Sequence, residues 1–352
     1  MKPIDNIFIF AVSALLEAGA EVNCLVRSSK ATPLHMSALA GNTEVVAALL
    51  ARGARLEARA GESLYRATPL YLAAQNGHSE VVRLLLARGA NLHSRLARLE
   101  VTPLFVAAER GHSEVVRLLL AGGASPHARN YNGLTALAVS RDQEVVQLLL
   151  GSGAEVNSRD NLGNTVITNC VDTDTQAGPH CSLQLVRQLL QAGADPNIRN
   201  KNGNLPLLLL AAKKVEKLEL VLAYMRVLLD QGVDIEAAAN LEDGREMTPL
   251  SAATEKGSGR IVSLLLEYGA QTNLAMTDNL SPLGFAIRNK SFGLTKKFLK
   301  HGLTCCHFIK SEKEDCEDLC LDLAVGSRDS DIIKLVTKYT GRRKSRIVQD
   351  EL

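Results

Sequence analysis

Two stretches decide the fold: TPLYLAAQNGHSEVVRLLLARGANLHSR, from Thr68 to Arg95, and TPLFVAAERGHSEVVRLLLAGGASPHAR, from Thr102 to Arg129. The second is nearly a copy of the first, and each reads as two short antiparallel helices. Thr102 is placed to cap the first helix, with Pro103 at the first helical position, where its missing N–H leaves no bond unmade. Leu104, Ala107 and Ala108 form a thin apolar stripe of small side chains, which suits a helix with neighbours on both sides. Gly111 stops that helix, and Ser113 reads as the cap of the next. Val115, Val116, Leu118, Leu119 and Leu120 make the second helix apolar over most of its circumference, and Gly122-Gly123 end it. Two helices this short bury too little alone, so each unit requires a copy before and after it.

Aligning on the capping threonine places units at Thr32, Thr68, Thr102, Thr135, Thr165, Leu205, Thr248, Ser281 and Leu319, in steps of 36, 34, 33, 30, 40, 43, 33 and 38 residues. The pattern TPLHLAA, then GH, then a VV-LLL run and a GA-x-x-N ending resembles the ankyrin repeat, whose period is about 33. TPLHMSA at Thr32, TPLYLAAQNGH at Thr68 and TPLFVAAERGH at Thr102 carry the resemblance. It implies an all-α ankyrin-repeat solenoid of stacked helix-turn-helix units with projecting hairpin loops. One such solenoid, rather than two or three globular domains, accounts for 352 residues with no Trp and few aromatics.

Five segments follow. Residues 1–26 read as a partial first repeat: Lys2, IFIFAVSALL and Ala18-Gly19-Ala20 have the look of a signal peptide, but VSALLEAGAEVN falls in register with VRLLLARGANLH. Residues 27–130 are regular repeats, with Ala60 to Ala67 and Leu96 to Val101 as hairpin fingers. Residues 131–240 are irregular: the unit at Thr135 has lost about three residues between its helices, VDTDTQAGPHCS (Val171 to Ser182) inserts a loop, and AAKKVEKLELVLAYMRVLLD (Ala211 to Asp230) lengthens helices. Residues 241–341 are C-terminal repeats and a cap, and residues 342–352 a basic then acidic tail.

The resemblance implies a non-enzymatic scaffold or adaptor that binds a partner protein on a concave surface of fingers and first helices. The family's contact positions, carried across, are Leu64, Tyr65, Gln75 and Asn76; Arg98, Leu99, Glu109 and Arg110; Tyr131; Arg245, Glu255 and Lys256; and Arg288 and Asn289. Two other readings stay open: a substrate-recognition subunit of a larger complex such as a ubiquitin ligase, and a regulatory part of a metal- or redox-dependent protein using Cys305, Cys306, His307, Cys316 and Cys320. The adjacent Cys305 and Cys306 do not make the chelating loop usual in zinc sites, so neither metal nor cofactor is assigned. Glu21-Val22-Asn23 and Glu155-Val156-Asn157, each with a Leu eight residues before the Asn, resemble the motif of the oxygen-dependent asparaginyl hydroxylase, making Asn23 and Asn157 candidate modification sites. Ser345, behind two Arg, fits a basophilic kinase.

No residue set supports catalysis: His35, His78, His93, His112 and His127 follow the repeat register, and no phosphate loop, H-E-x-x-H or nucleophile elbow occurs. A net charge of +2 with interspersed signs gives no footprint for nucleic acid. No membrane insertion is expected, and a monomer is. Seven Cys without framework spacing point to a reducing compartment, the cytoplasm, with the basic tail admitting the nucleus.

Overall fold

The structure is a computed structural model and describes residues 18–171, 181–212, 218–240, 246–272, 280–303 and 313–340. The chain divides into two compact units, residues 1–170 with 175–194 and residues 171–174 with 195–352.

Unit 1 is a stack of helix pairs: α1 (Pro33–Ala40) with α2 (Thr43–Ala51), α3 (Pro69–Gln75) with α4 (Ser79–Ala87), α5 (Pro103–Arg110) with α6 (Ser113–Ala121), and α7 (Ala136–Val139) with α8 (Gln143–Gly151). The inner helix of the next pair is α9 (Val166–Val171), and its outer helix is α10 (Leu183–Gln191). From α1 to α7, inner helices pack on inner helices, and from α2 to α8 outer on outer. The same register builds every layer of the core: Leu34, Leu70, Leu104 and Leu137 from inner helices, and Val45, Val81, Val115 and Val145 from outer ones, are all buried. Each such side chain contributes about 1.5–3 kcal/mol of burial, which explains why the VV-LLL run recurs.

The threonines cap as expected. Thr68, Thr102 and Thr135 accept from the N–H groups of Tyr71, Phe105 and Ala138 at 3.3, 3.2 and 3.3 Å. Ser113 does not cap. His112, like His78 before it, holds the cap position without a side-chain bond to the helix, and Ser113 is already the first helical residue. The imidazoles instead reach back one repeat, His78 Nε2 to the Leu39 carbonyl at 2.9 Å and His112 Nε2 to the Gln75 carbonyl at 3.1 Å. In the shortened fourth repeat Asp142 replaces this histidine and caps α8 through the Val145 N–H at 3.0 Å.

Unit 2 contains α11 (Pro206–Ala211), α12 (Leu218–Asp230), α13 (Pro249–Glu255), α14 (Gly259–Glu267), α15 (Pro282–Arg288), α16 (Phe292–Lys300), α17 (Lys313–Ser327) and α18 (Ser330–Thr340). At 13 residues α12 is long for an outer helix, as the helical period across its insertion predicts. Helix α17 starts before Leu319, so the last repeat does not begin where the alignment on Leu319 places it. Two two-residue strands, β1 (Ala239–Asn240) and β2 (Glu246–Met247), pair antiparallel ahead of α13.

Cys170, at the end of α9, and Cys181, just before α10, are joined by a disulfide with Cα atoms 5.3 Å apart. The bond joins two helix ends eleven residues apart in sequence. Cys320 is disulfide-bonded too, and Cys24 is an exposed free thiol.

Candidate protein-binding cleft

The fingers of unit 1 are joined edge to edge. Ala97 N–H donates to the Tyr65 carbonyl at 3.1 Å, Tyr131 N–H to the Leu99 carbonyl at 3.1 Å, and Asn161 N–H to the Asn132 carbonyl at 2.9 Å. A second brace runs beneath them: Arg59 donates to the Arg95 carbonyl at 3.0 Å and Arg95 to the Arg129 carbonyl at 3.2 Å, while Arg129 bonds the Arg159 carbonyl. Each guanidinium thereby fastens one finger to the next through Nη1, which also bonds an acceptor in its own finger.

Against this ribbon lies a cleft of about 710 Å³, closed on the other side by inner helices α3, α5 and α7. The fingers contribute Tyr65, Leu99 and Tyr131, which are 54, 41 and 58% exposed, unusually open for such side chains. The inner helices contribute Tyr71, Phe105 and Val139 as an apolar floor. Ser63, Gln75, Glu109, Arg110, Asn130, Asn132 and Arg141 supply the polar part of the lining. Burial, then the Glu109 carboxylate, push the Tyr71 hydroxyl up to about 12, with Arg110 pulling it back, so the phenol is protonated at neutral pH.

Seven of the expected contact residues, Leu64, Tyr65, Gln75, Leu99, Glu109, Arg110 and Tyr131, thus share one cleft. Asn76 caps α3 and donates to the Leu72 carbonyl at 2.8 Å. Arg98 lies outside the lining, 3.9 Å from Glu62 in a solvent-exposed pair. Glu255, Lys256 and Arg288 belong to unit 2, where Arg288 sits 5.3 Å over the Phe285 ring; Arg245 lies outside the described residues. Leu162, in the fifth finger, is 64% exposed and lies outside the cleft lining.

Asn23 and Asn157 hold successive turns together. Asn23 accepts from Arg55 N–H at 2.8 Å, and Asn157 donates to the Gly193 carbonyl at 3.0 Å. Ser345 and the Cys305-Cys306-His307 stretch lie outside the described residues, and Cys316 lies in α17. Among the described residues no group of three or more His, Cys, Asp or Glu is placed to hold a metal ion, and no helix is long and apolar enough to cross a membrane.

The family model for ankyrin repeats matches the chain three times, over residues 8–96, 93–160 and 176–276, well over half its length. An ankyrin repeat protein of fowlpox virus (strain NVSL) is 32% identical over 108 residues. That stretch is 31% of this chain and only 15% of the viral protein.

Proposed function

The chain belongs to the ankyrin repeat family, and from that premise we propose that it is a non-enzymatic scaffold or adaptor that holds a partner protein in the cleft of unit 1. Ankyrin repeats generally mediate protein–protein interaction, which supports the class. The observation that carries the assignment is the convergence of exposed Tyr65, Leu99 and Tyr131 with Tyr71 and Phe105 around one cleft. Tyrosine is among the residue types enriched where interface energy concentrates, at about 2 kcal/mol or more on truncation. The finger bonds and arginine braces fix the tips before any partner arrives, so little ordering entropy is lost on this side.

The test is affinity capture from cells with three baits: the full chain, the Tyr65→Ala/Tyr131→Ala variant, and Arg83→Ala on an outer helix as a control. Partners retained by the control and lost by the double variant support the cleft. An unchanged partner set with the double variant refutes it.

A further inference from the structure

We propose that unit 2 holds a site for a phosphate-type oxyanion, in a cavity of about 510 Å³ at the N-terminal ends of outer helices α14 and α16. This site shares no residue with the cleft of unit 1.

The cavity opens where a ring is missing from the repeat. In unit 1 His78 and His112, each ten residues after its capping threonine, lay their rings against the glycine of the repeat before. A Cβ on Gly41 would meet His78 at 2.4 Å, and one on Gly77 would meet His112 at 2.7 Å. The same count from Thr248 and Ser281 reaches Ser258 and Ser291. With Ser291 in place of the imidazole, Gly257 is uncovered: it keeps the left-handed turn at φ +73°, and a Cβ there meets nothing within 4 Å. The vacated space is bounded by both helix starts, with Ser258, Gly259 and Arg260 from one and Ser291, Gly293 and Leu294 from the other.

Its chemistry suits an anion. Neither Ser258 nor Ser291 caps its helix through the side chain, so the positive ends of two helix dipoles meet at the cavity. In α2, α4, α6 and α8 a first-turn glutamate offsets that end, whereas α14 and α16 have no acid in the first turn. Ser258 is only 7% exposed, lines the cavity, and has a hydroxyl that bonds no described residue. No Asp or Glu is in the lining, and two cations are. Arg260 is matched by both oxygens of Glu219 and leaves no excess charge. Lys297 is half-buried, and its Nζ donates to two neutral acceptors, the Gly259 carbonyl at 2.6 Å and Ser263 Oγ. Among the described residues no carboxylate forms an ion pair with it; Glu267 acts on it from beyond that range, and burial lowers its pKa from 10.5. One ammonium proton remains to donate, beside a buried hydroxyl and two helix ends. An oxyanion accepts from all of these at once and offsets the cost of burying the ammonium.

Isothermal titration of the full chain with inorganic phosphate tests this, with chloride holding the ionic strength constant so that screening does not change. A Kd of about 1 mM or tighter is expected. Lys297→Gln should weaken binding about tenfold or more, and Ser291→His, which restores the ring of the earlier repeats, should abolish it. Both variants should retain helical circular dichroism, and Arg83→Ala in unit 1 should bind like the parent. A phosphoserine peptide and its unphosphorylated twin separate the sources of the anion. A phosphopeptide at least about tenfold tighter than phosphate marks a group presented by a protein, and one no tighter marks the free anion. Failure of both phosphate and phosphopeptide to bind at about 10 mM, binding undiminished in either variant, or equal binding of the unphosphorylated twin overturns the proposal.

Discussion

Replacing Gly41 by Ala should cost far more stability than replacing Gly53, although both glycines end helices with the same backbone hand. Gly41 has φ +74° and Gly53 φ +83°, so either alanine is forced into the left-handed region. That conformation costs roughly 1–2 kcal/mol for a residue with a Cβ. Stiffening the unfolded chain returns about 0.4–1 kcal/mol, leaving a net loss of about 1 kcal/mol from backbone alone. A Cβ on Gly53 meets nothing within 4 Å, so its loss ends there. A Cβ on Gly41 would lie 2.4 Å from Nδ1 and 2.8 Å from Cγ of His78. That ring cannot swing away freely, because its Nε2 bonds the Leu39 carbonyl. Moving it forfeits a hydrogen bond worth about 1 kcal/mol and leaves a partly buried acceptor unmatched, for a further 1 kcal/mol or so. Gly41→Ala is therefore expected to destabilise by about 3 kcal/mol against about 1 kcal/mol for Gly53→Ala.

Urea unfolding followed by circular dichroism measures both, with the slope checked for constancy so that midpoint shifts report stability. Two internal controls come from the repeat itself. On a His78→Ala background, Gly41→Ala should fall to the Gly53 value, a coupling of about 2 kcal/mol in the double-mutant cycle. Gly111→Ala should also behave like Gly53→Ala, because the shortened fourth repeat presents Asp142 Cβ at 3.6 Å where the second and third present an imidazole. Equal losses at Gly41 and Gly53, or an additive cycle with His78→Ala, would refute the claim that the histidine clasp joins the repeats.

Two further outcomes follow from the same geometry. Lys30, Arg66 and Glu100 hold left-handed backbone, with φ of 50, 59 and 54°, at the position two before the threonine where later fingers carry Gly133 and Gly163. Changing any of the three to Gly should raise stability by up to about 1 kcal/mol, since relief of strain outweighs the added unfolded-state entropy; a lower urea midpoint in all three would contradict it. His35 is buried, accepts from the Thr32 N–H at Nδ1 (3.1 Å) and bonds the Ala67 carbonyl through Nε2 (3.0 Å), and desolvation lowers its pKa from 6.5. The folded protein thus favours neutral His35: this contribution is complete above pH 6.5 and declines as pH falls below it toward the lower folded value. His35→Gln should flatten thermal stability across that window, and an unaltered pH profile would count against the assignment.

How much of this was legible in the sequence depends on which ruler the residue obeys. Core and cap residues are counted from the threonine, and copies pack on copies, so one clear unit foretells the contacts of the next. Gln75, Glu109 and Arg110 fall seven or eight residues after Thr68 and Thr102, and that count carries them into the cleft. Finger residues do not obey that count, because the fingers differ in length and turn. Leu99, three before its threonine, enters the cleft while Arg98, four before, turns out to Glu62; in the next finger both Asn132 and Tyr131, three and four before their threonine, enter. The arginine brace is invisible from the threonine for the same reason. Counted instead from the glycine that ends each outer helix, Arg59, Arg95, Arg129 and Arg159 all fall six residues after Gly53, Gly89, Gly123 and Gly153. The turn there is rigid and identical from repeat to repeat, and the finger that follows is not. The Cys170–Cys181 bond obeys neither ruler, since it depends on where an insertion of irregular sequence brings two helix ends together. Repetition thus makes the scaffold readable from any one copy, whereas the cleft is made where the copies differ, and its chemistry had to be taken from the fingers one at a time.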